Sequence, residues 1–414
     1  MIGSGVFVTS GYSLAGLGDR QYVMLAWLIG GLIAICGAIS YGQLATRITE
    51  SGGEYLFLSR LVHPSIGFIA GWVSLMAGFT GAIAIAATTF ETYAIPTAVR
   101  PDWFRPGMAG IASIVLFGFL HAFVLKTGLA AQNLIVVVKL VLLAGFVAFA
   151  FTSFPGGWEG MKVETEPATF SVYAIASTLV WISLSFSGFN AAIYITGEVN
   201  QPSRNVPRAM LLGTVIVTLF YLALNFIFVY GAAPDSIKAV EDVAAVAAKA
   251  VGGDQLATLI RVIVSVALLS SVSSMIVAGP RVYAKMADEG VFPKLFNASQ
   301  RKSLDVPVAA IWLQVVLASI VVYFSNIKSL LDYLGFTLSV SAALTVACLF
   351  WSKRGEASGK SPIYSVIALT YVIATIGLAV LSVKNNPQQL IGFAVTVASG
   401  LIVYFGMQAW KNRQ

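Results

Sequence analysis

The sequence predicts an all-α integral membrane protein of about twelve transmembrane helices, and three observations carry that reading. Hydrophobic residues make up 58% of the 414 and charged residues only 10%, whereas soluble domains are about half apolar and a quarter charged. Eleven apolar runs of membrane length follow one another, with a partial one at the start. Two of the helices are interrupted by glycine and serine at matching places in the chain.

A helix needs about 20 apolar residues to cross the hydrocarbon layer. Runs of that length stand at 22–46, 66–95, 107–125, 131–152, 170–196, 208–232, 255–283, 307–325, 328–351, 362–383 and 388–410, after the partial run at 2–17. The longest stretches between them, 153–168, 233–254, 284–306 and 353–361, are too small to be soluble domains, so 1–414 reads as one transmembrane domain. Within 234–254, Pro234, Asp235 and Ser236 supply a helix start and Gly252-Gly253 a stop, which predicts a short helix lying on one mouth of the bundle. The opening segment, MIGSGVFVTSGYSLAGLG, lacks the basic region and long apolar core of a signal peptide.

Lysine and arginine in the loops set orientation. With the loop after the second span placed inside, fifteen of them fall on the inner side and eight on the outer. Arg261 and Lys139 lie within spans. Both termini are then expected in the cytoplasm. Glu91 and Asp332 fall near outer span ends and are expected to face water, while Glu198 is expected to pair with one of Arg204, Arg208, Arg281 or Lys285.

The formal charge of +7 does not make a nucleic-acid binder, because the basic residues are scattered over short loops instead of gathered on one polar face. Cys36 and Cys348 both sit in apolar runs, and the two histidines, His63 and His121, form no cluster with cysteine, so neither a disulfide framework nor a structural zinc site is expected. No phosphate-binding loop and no clustered acid, base or metal constellation appears. An ATP-driven pump and a membrane enzyme are therefore both disfavoured, and no cofactor is expected.

The first interruption is Gly3-Ser4-Gly5; the second, in the middle of the sixth span, is Ser185-Phe186-Ser187-Gly188-Phe189-Asn190. Five helices separate them, and an odd number per repeat inserts the second half upside-down relative to the first. Close helix packing would account for either cluster alone. Paired breaks in inverted halves point instead to the central site of a transporter. Freed amides and carbonyls in lipid must find partners. A zwitterion supplies both, its carboxylate meeting amides at a half-helix N-terminus and its ammonium meeting carbonyls.

Four extended motifs carry a family resemblance over essentially the whole chain: IGSGVF at 2–7, ISYGQLATRITESGGEY at 39–55, FSGFNAAIYITGEVNQPSRNVPRAM at 186–210 and GPRVYAKMADEGVFPKLF at 279–296. In this order they resemble the amino acid–polyamine–organocation (APC) superfamily. Asn190 followed by Tyr194-Ile195-Thr196 is most similar to L-type amino acid transporters and their bacterial relatives.

The resemblance implies a LeuT-type 5+5 inverted repeat, with repeats at about 1–152 and 170–351 and peripheral helices at about 362–410. It implies that amides of Gly3, Ser4 and Gly5 hold a substrate carboxylate, and that carbonyls near Met1, Ile2, Leu184 and Ser187 receive the amine. Gly188 would leave room for the side chain, and Asn190 would touch the substrate or brace the break. Many relatives carry a gating aromatic where this chain has Leu184, which leaves that role to Trp181 or Phe186. Residues 96–106 lack the outer-loop cysteine of heteromeric relatives, so no disulfide-linked heavy subunit is expected. Only Met1 precedes the first motif, where relatives have a tail and half a helix. The first helix is thus expected to be truncated here by a start placed too late.

Lys139, in VVVKLVLL, lies inside the fifth span, where a central lysine costs about 2.5–3.5 kcal/mol and calls for polar partners. Snorkelling towards a helix end is the alternative. The resemblance places it where sodium-coupled relatives hold a cation, with Gly3 and Ser271 as partners, and so implies sodium-independent exchange or proton-coupled transport. The expected function is a secondary carrier of small or neutral L-amino acids in a bacterial inner membrane. The alternatives are a polyamine or organic-cation carrier, disfavoured because no acidic residue is expected at the sixth-helix break, and a channel or sensor on the same fold.

Overall fold

The computed structural model describes residues 3–124, 129–153, 170–297, 308–350 and 362–411. Helices account for nearly all of them. They are α1 (Gly5–Leu17), α2 (Arg20–Arg47), α3 (Gly53–Leu61), α4 (Pro64–Ala94), α5 (Met108–Phe123), α6 (Leu129–Thr152), α7 (Val172–Glu198), α8 (Pro202–Tyr230), α9 (Val243–Asp288), α10 (Val308–Phe324), α11 (Ile327–Phe350), α12 (Pro362–Asn385) and α13 (Gln388–Lys411). Eight of these are long and apolar enough to span a membrane, and α1, α5, α6 and α10 are shorter apolar helices. The chain is a multi-pass membrane protein.

The helix starts follow from local chemistry. Asp19 caps α2 by accepting the Gln21 amide, and Asn326 caps α11 through a reciprocal bond pair with Ser329. Pro64 opens α4 and Pro202 opens α8, where a missing amide hydrogen is harmless. The largest buried cluster joins α1, α2, α4, α7, α8, α9 and α11 around Trp27, Phe7, Tyr93 and Phe228. By contrast α12 and α13 are mostly exposed, 28% and 17% of their apolar windows being buried, as lipid-facing outer helices are.

Two expectations are corrected. Glu91 does not face water: it is buried and accepts amides of Gly107 (2.8 Å), Ala109 (2.9 Å) and Gly110 (3.2 Å), so it caps the start of α5, with Arg100 at 3.7 Å. Asp332 is also buried, because the Trp181 indole N–H donates to it at 2.6 Å. In both cases the unpaired donors of a distant element draw the carboxylate inward.

The segment after α8 differs in detail from the single short helix expected. Pro234–Ile237 forms one turn, the chain reverses at Ala239 (φ 58°), and a helix then runs from Val243 to a kink at Gly252-Gly253. Tertiary contact explains the interruption, since the Ala239 amide donates to the Gly11 carbonyl of α1 at 2.9 Å. Glu198 pairs with Arg281 at 2.9 Å, one of the four partners anticipated.

Candidate functional site

Neither interrupted segment is regular α-helix. In the first, α1 begins at Gly5, and the first amides of a helix have no acceptor within it. In α7 the α-helical part ends at Phe186 and continues as a tightened 3₁₀ stretch over Ser187–Glu198, with Ile195 outside helical geometry. A third irregularity was not foreseen: α4 widens into a π-helix over Ser74–Gly81, a form common at functional sites.

These three irregular segments enclose one cavity of about 360 Å³, within the range of small-molecule sites. Gly3, Ser4, Gly5, Leu184, Ser187, Gly188, Asn190 and Ser271 all line it. Ile2 lies outside the described residues. Lys139 is buried in α6 but is not part of the cavity wall, and Ser271 donates to the Ala267 carbonyl at 3.0 Å.

The two breaks touch. A Cβ on Gly5 would approach the Ser185 Cα to 2.9 Å and its hydroxyl more closely still. The Ser185 hydroxyl is buried and has no hydrogen-bond partner among the described residues. Tyr221 of α8 binds both segments, donating to the Ser185 carbonyl at 3.0 Å and meeting the Gly3 amide.

The cavity is shut on the side of residues 233–254. Tyr12 donates to Glu241 at 2.9 Å, and its ring meets Trp181 edge-to-face at 6.4 Å between centroids. Ser10 bonds Asn225, Tyr93 donates to the Phe7 carbonyl at 2.8 Å, and Asp242 pairs with Arg261. Of the two gate candidates, Trp181 stands in this closure. Phe186 lies deeper, on the cavity wall between Trp27 and Tyr221.

Towards the opposite side the wall is formed by Ile33, Glu54, Asn190, Tyr194, Ile195 and Tyr371. Glu54 is 5% exposed. It accepts from the Tyr41 hydroxyl, from Asn190 Nδ2 at 3.2 Å and from Ser341 Oγ at 3.2 Å. Burial pushes its carboxyl above the usual range, and the three donors oppose that shift. Gly53 makes the placement possible: its φ of +63° suits glycine, and a Cβ there would collide with the Tyr194 ring. An acidic group therefore does stand at the sixth-helix break, delivered from 136 residues away. Its only signal in the sequence was its place in the Ser-Gly-Gly-Glu-Tyr motif. Tyr194 stood in the motif after Asn190, while Tyr371 and Ser74 carried no signal.

Residues 1–407 match the amino acid permease family. The chain belongs to that family. It is a transporter and not an enzyme. Among curated proteins the permease is 26% identical to the serine/threonine exchanger SteT of Bacillus subtilis, over 99% of this chain and 94% of that protein. It is 23% identical to the human large neutral amino acids transporter small subunit 2, over 100% of this chain and 78% of the other. It is 24% identical to the mouse b(0,+)-type amino acid transporter 1, over 98% and 84%. The permease is thus similar over nearly its whole length to proteins named as amino acid transporters and exchangers.

Proposed function

We propose that this permease is a secondary transporter of small or neutral L-amino acids that works by alternating access and without sodium. One observation carries the reading. A cavity of about 360 Å³ lies where α1 begins and α7 leaves α-helical geometry, so backbone donors and acceptors of both segments border it. The substrate carboxylate takes the Ser4 and Gly5 amides at the positive end of α1. Its ammonium takes carbonyls at Ile2, Leu184 and Ser187. Ser185, with its buried hydroxyl, adds a polar contact, and Gly188 admits the side chain.

Further parts of the reading rest on the motifs. The two halves form a 5+5 inverted repeat, both termini face the cytoplasm, and the membrane is a bacterial inner membrane. The closed side at 233–254 is then external, so the state described is shut to the outside. Lys139 with Ser271 takes the place of a cation, and the chain works without a disulfide-linked subunit. The relatives named as a serine/threonine exchanger and a large neutral amino acid transporter support a neutral substrate.

A polyamine or organic-cation substrate has one observation in its favour, the Glu54 carboxylate on the cavity wall. Both its oxygens already accept from protein donors, which argues against a cation there. Purified permease in liposomes, offered labelled serine, leucine, arginine and putrescine with and without sodium, decides between the readings. Uptake of serine or leucine independent of sodium is expected; uptake of putrescine alone would replace the proposal with its alternative.

A further inference from the structure

Two buried glutamates in this permease are held in opposite ways, and the contrast assigns a role to one of them. Glu91 is surrounded by fixed donors: three backbone amides and the guanidinium of Arg100. None of these can accept a proton or turn around, so the hydrogen bonding of Glu91 is fixed. Glu54 has no lysine or arginine in ion-pair range among the described residues. Two of its three donors, Tyr41 and Ser341, are hydroxyls, which can accept as readily as they donate.

We propose that Glu54 takes up and releases a proton in the transport cycle, and that its occupancy sets how firmly Asn190 is tied to the wall formed by Tyr41 and Ser341. The proposal rests on the amino acid carrier reading and specifies its coupling group. With Glu54 ionised, all three donors point at it, and the Asn190 bond is charge-assisted. A proton arriving from cavity water binds Oε2, and Ser341 turns from donor to acceptor. Oε1, now a carbonyl oxygen, keeps Tyr41 and Asn190, but the Asn190 bond falls to roughly half its strength. The proton leaves to cavity water by the reverse step. Burial favours the neutral acid and outweighs the hydroxyl and amide donors, which favour the carboxylate.

The tie matters because it crosses the molecule. Asn190 lies in the 3₁₀ part of α7, Tyr41 in α2, Glu54 in α3 and Ser341 in α11. Loosening it frees the second half of the broken helix from three neighbours on the cavity wall. The titratable groups facing Glu54 are the phenols of Tyr41, Tyr194 and Tyr371 and the thiol of Cys348. Arg47 acts on Cys348 from the end of α2. None of these phenols or the thiol is a base that would hold Glu54 permanently charged.

The test compares wild-type and Glu54→Gln permease in liposomes equilibrated to the same pH on both sides. It follows exchange of labelled serine and leucine from mildly acidic to mildly alkaline medium. Wild-type exchange should vary with pH, and Glu54→Gln, which imitates the neutral acid, should lose that dependence. Tyr41→Phe removes a donor to the charged form and should move the wild-type midpoint upward by about one unit, an effect a purely structural glutamate would not produce. Infrared difference spectra provide a readout that needs no transport. The carbonyl stretch of a neutral carboxyl should appear on acidification of the wild type and be missing in Glu54→Gln. A wild-type pH profile retained by Glu54→Gln, an unmoved midpoint in Tyr41→Phe, or the infrared band persisting in Glu54→Gln overturns the proposal. If neither serine nor leucine moves, the carrier reading is at fault, and the infrared titration still decides the role of Glu54.

Discussion

Gly5 and Ser185 stand in direct contact across the cavity, the serine backbone only 2.9 Å from where a Gly5 side chain would begin. They belong to the start of α1 and to α7 just before it leaves α-helical geometry, so the two segments share a wall as well as a cavity. Forcing extra atoms into such a contact typically costs about 1–3 kcal/mol. Gly5→Ala is therefore expected to reduce amino acid uptake roughly tenfold or more while the protein still purifies as a single species. Uptake at the wild-type rate would show that the contact is incidental.

Gly11 makes the equivalent contact at the closed mouth. A methyl group there would press on the backbone of Val240 and lie 3.1 Å from the Ile237 carbonyl oxygen. Gly11→Ala should lift the 237–242 segment from α1 and hold this mouth open. In a background with Cys36 and Cys348 replaced by serine, a Tyr12→Cys probe should then react faster with a membrane-impermeant thiol reagent. Equal reactivity with and without Gly11→Ala would contradict this account of the closure.

Lys139→Ala is expected to slow flux sharply while leaving substrate recognition partly intact, because Lys139 is buried in α6 and away from the cavity wall. Binding of labelled substrate in detergent and uptake into liposomes separate the two effects. Wild-type uptake in the variant would remove Lys139 from the mechanism.

Glu91→Ala leaves the amides of Gly107, Ala109 and Gly110 without their acceptor. Each buried amide so orphaned costs about 1–3 kcal/mol. The thermal midpoint in detergent should fall by several degrees, whereas uptake measured well below that midpoint should persist. A midpoint unchanged within error would mean that water replaces the carboxylate.

The positions of the spans were legible because hydropathy is local: a run of apolar residues around Trp27 or Ile373 declares itself whatever it packs against. The break in α7 was legible for a related reason: Ser187-Gly188 combines residues that cannot hold a helix together on their own side-chain packing. Glu91 and Asp332 were misread because polarity near a span end looks the same whether its partner is water or a buried amide. The partners, Gly107 and Trp181, are 16 and 151 residues away.

Composition, run length and motif order by themselves determined a many-spanning permease with a break in its sixth-span helix, since each depends only on residues adjacent in the chain. Tertiary structure alone decided that Ser185 abuts Gly5, that α4 widens to a π-helix at the cavity, and that Glu54 meets Asn190. The physical reason is that a buried polar group takes whatever donor the packing of distant helices brings within about 3 Å. No local pattern encodes that distance.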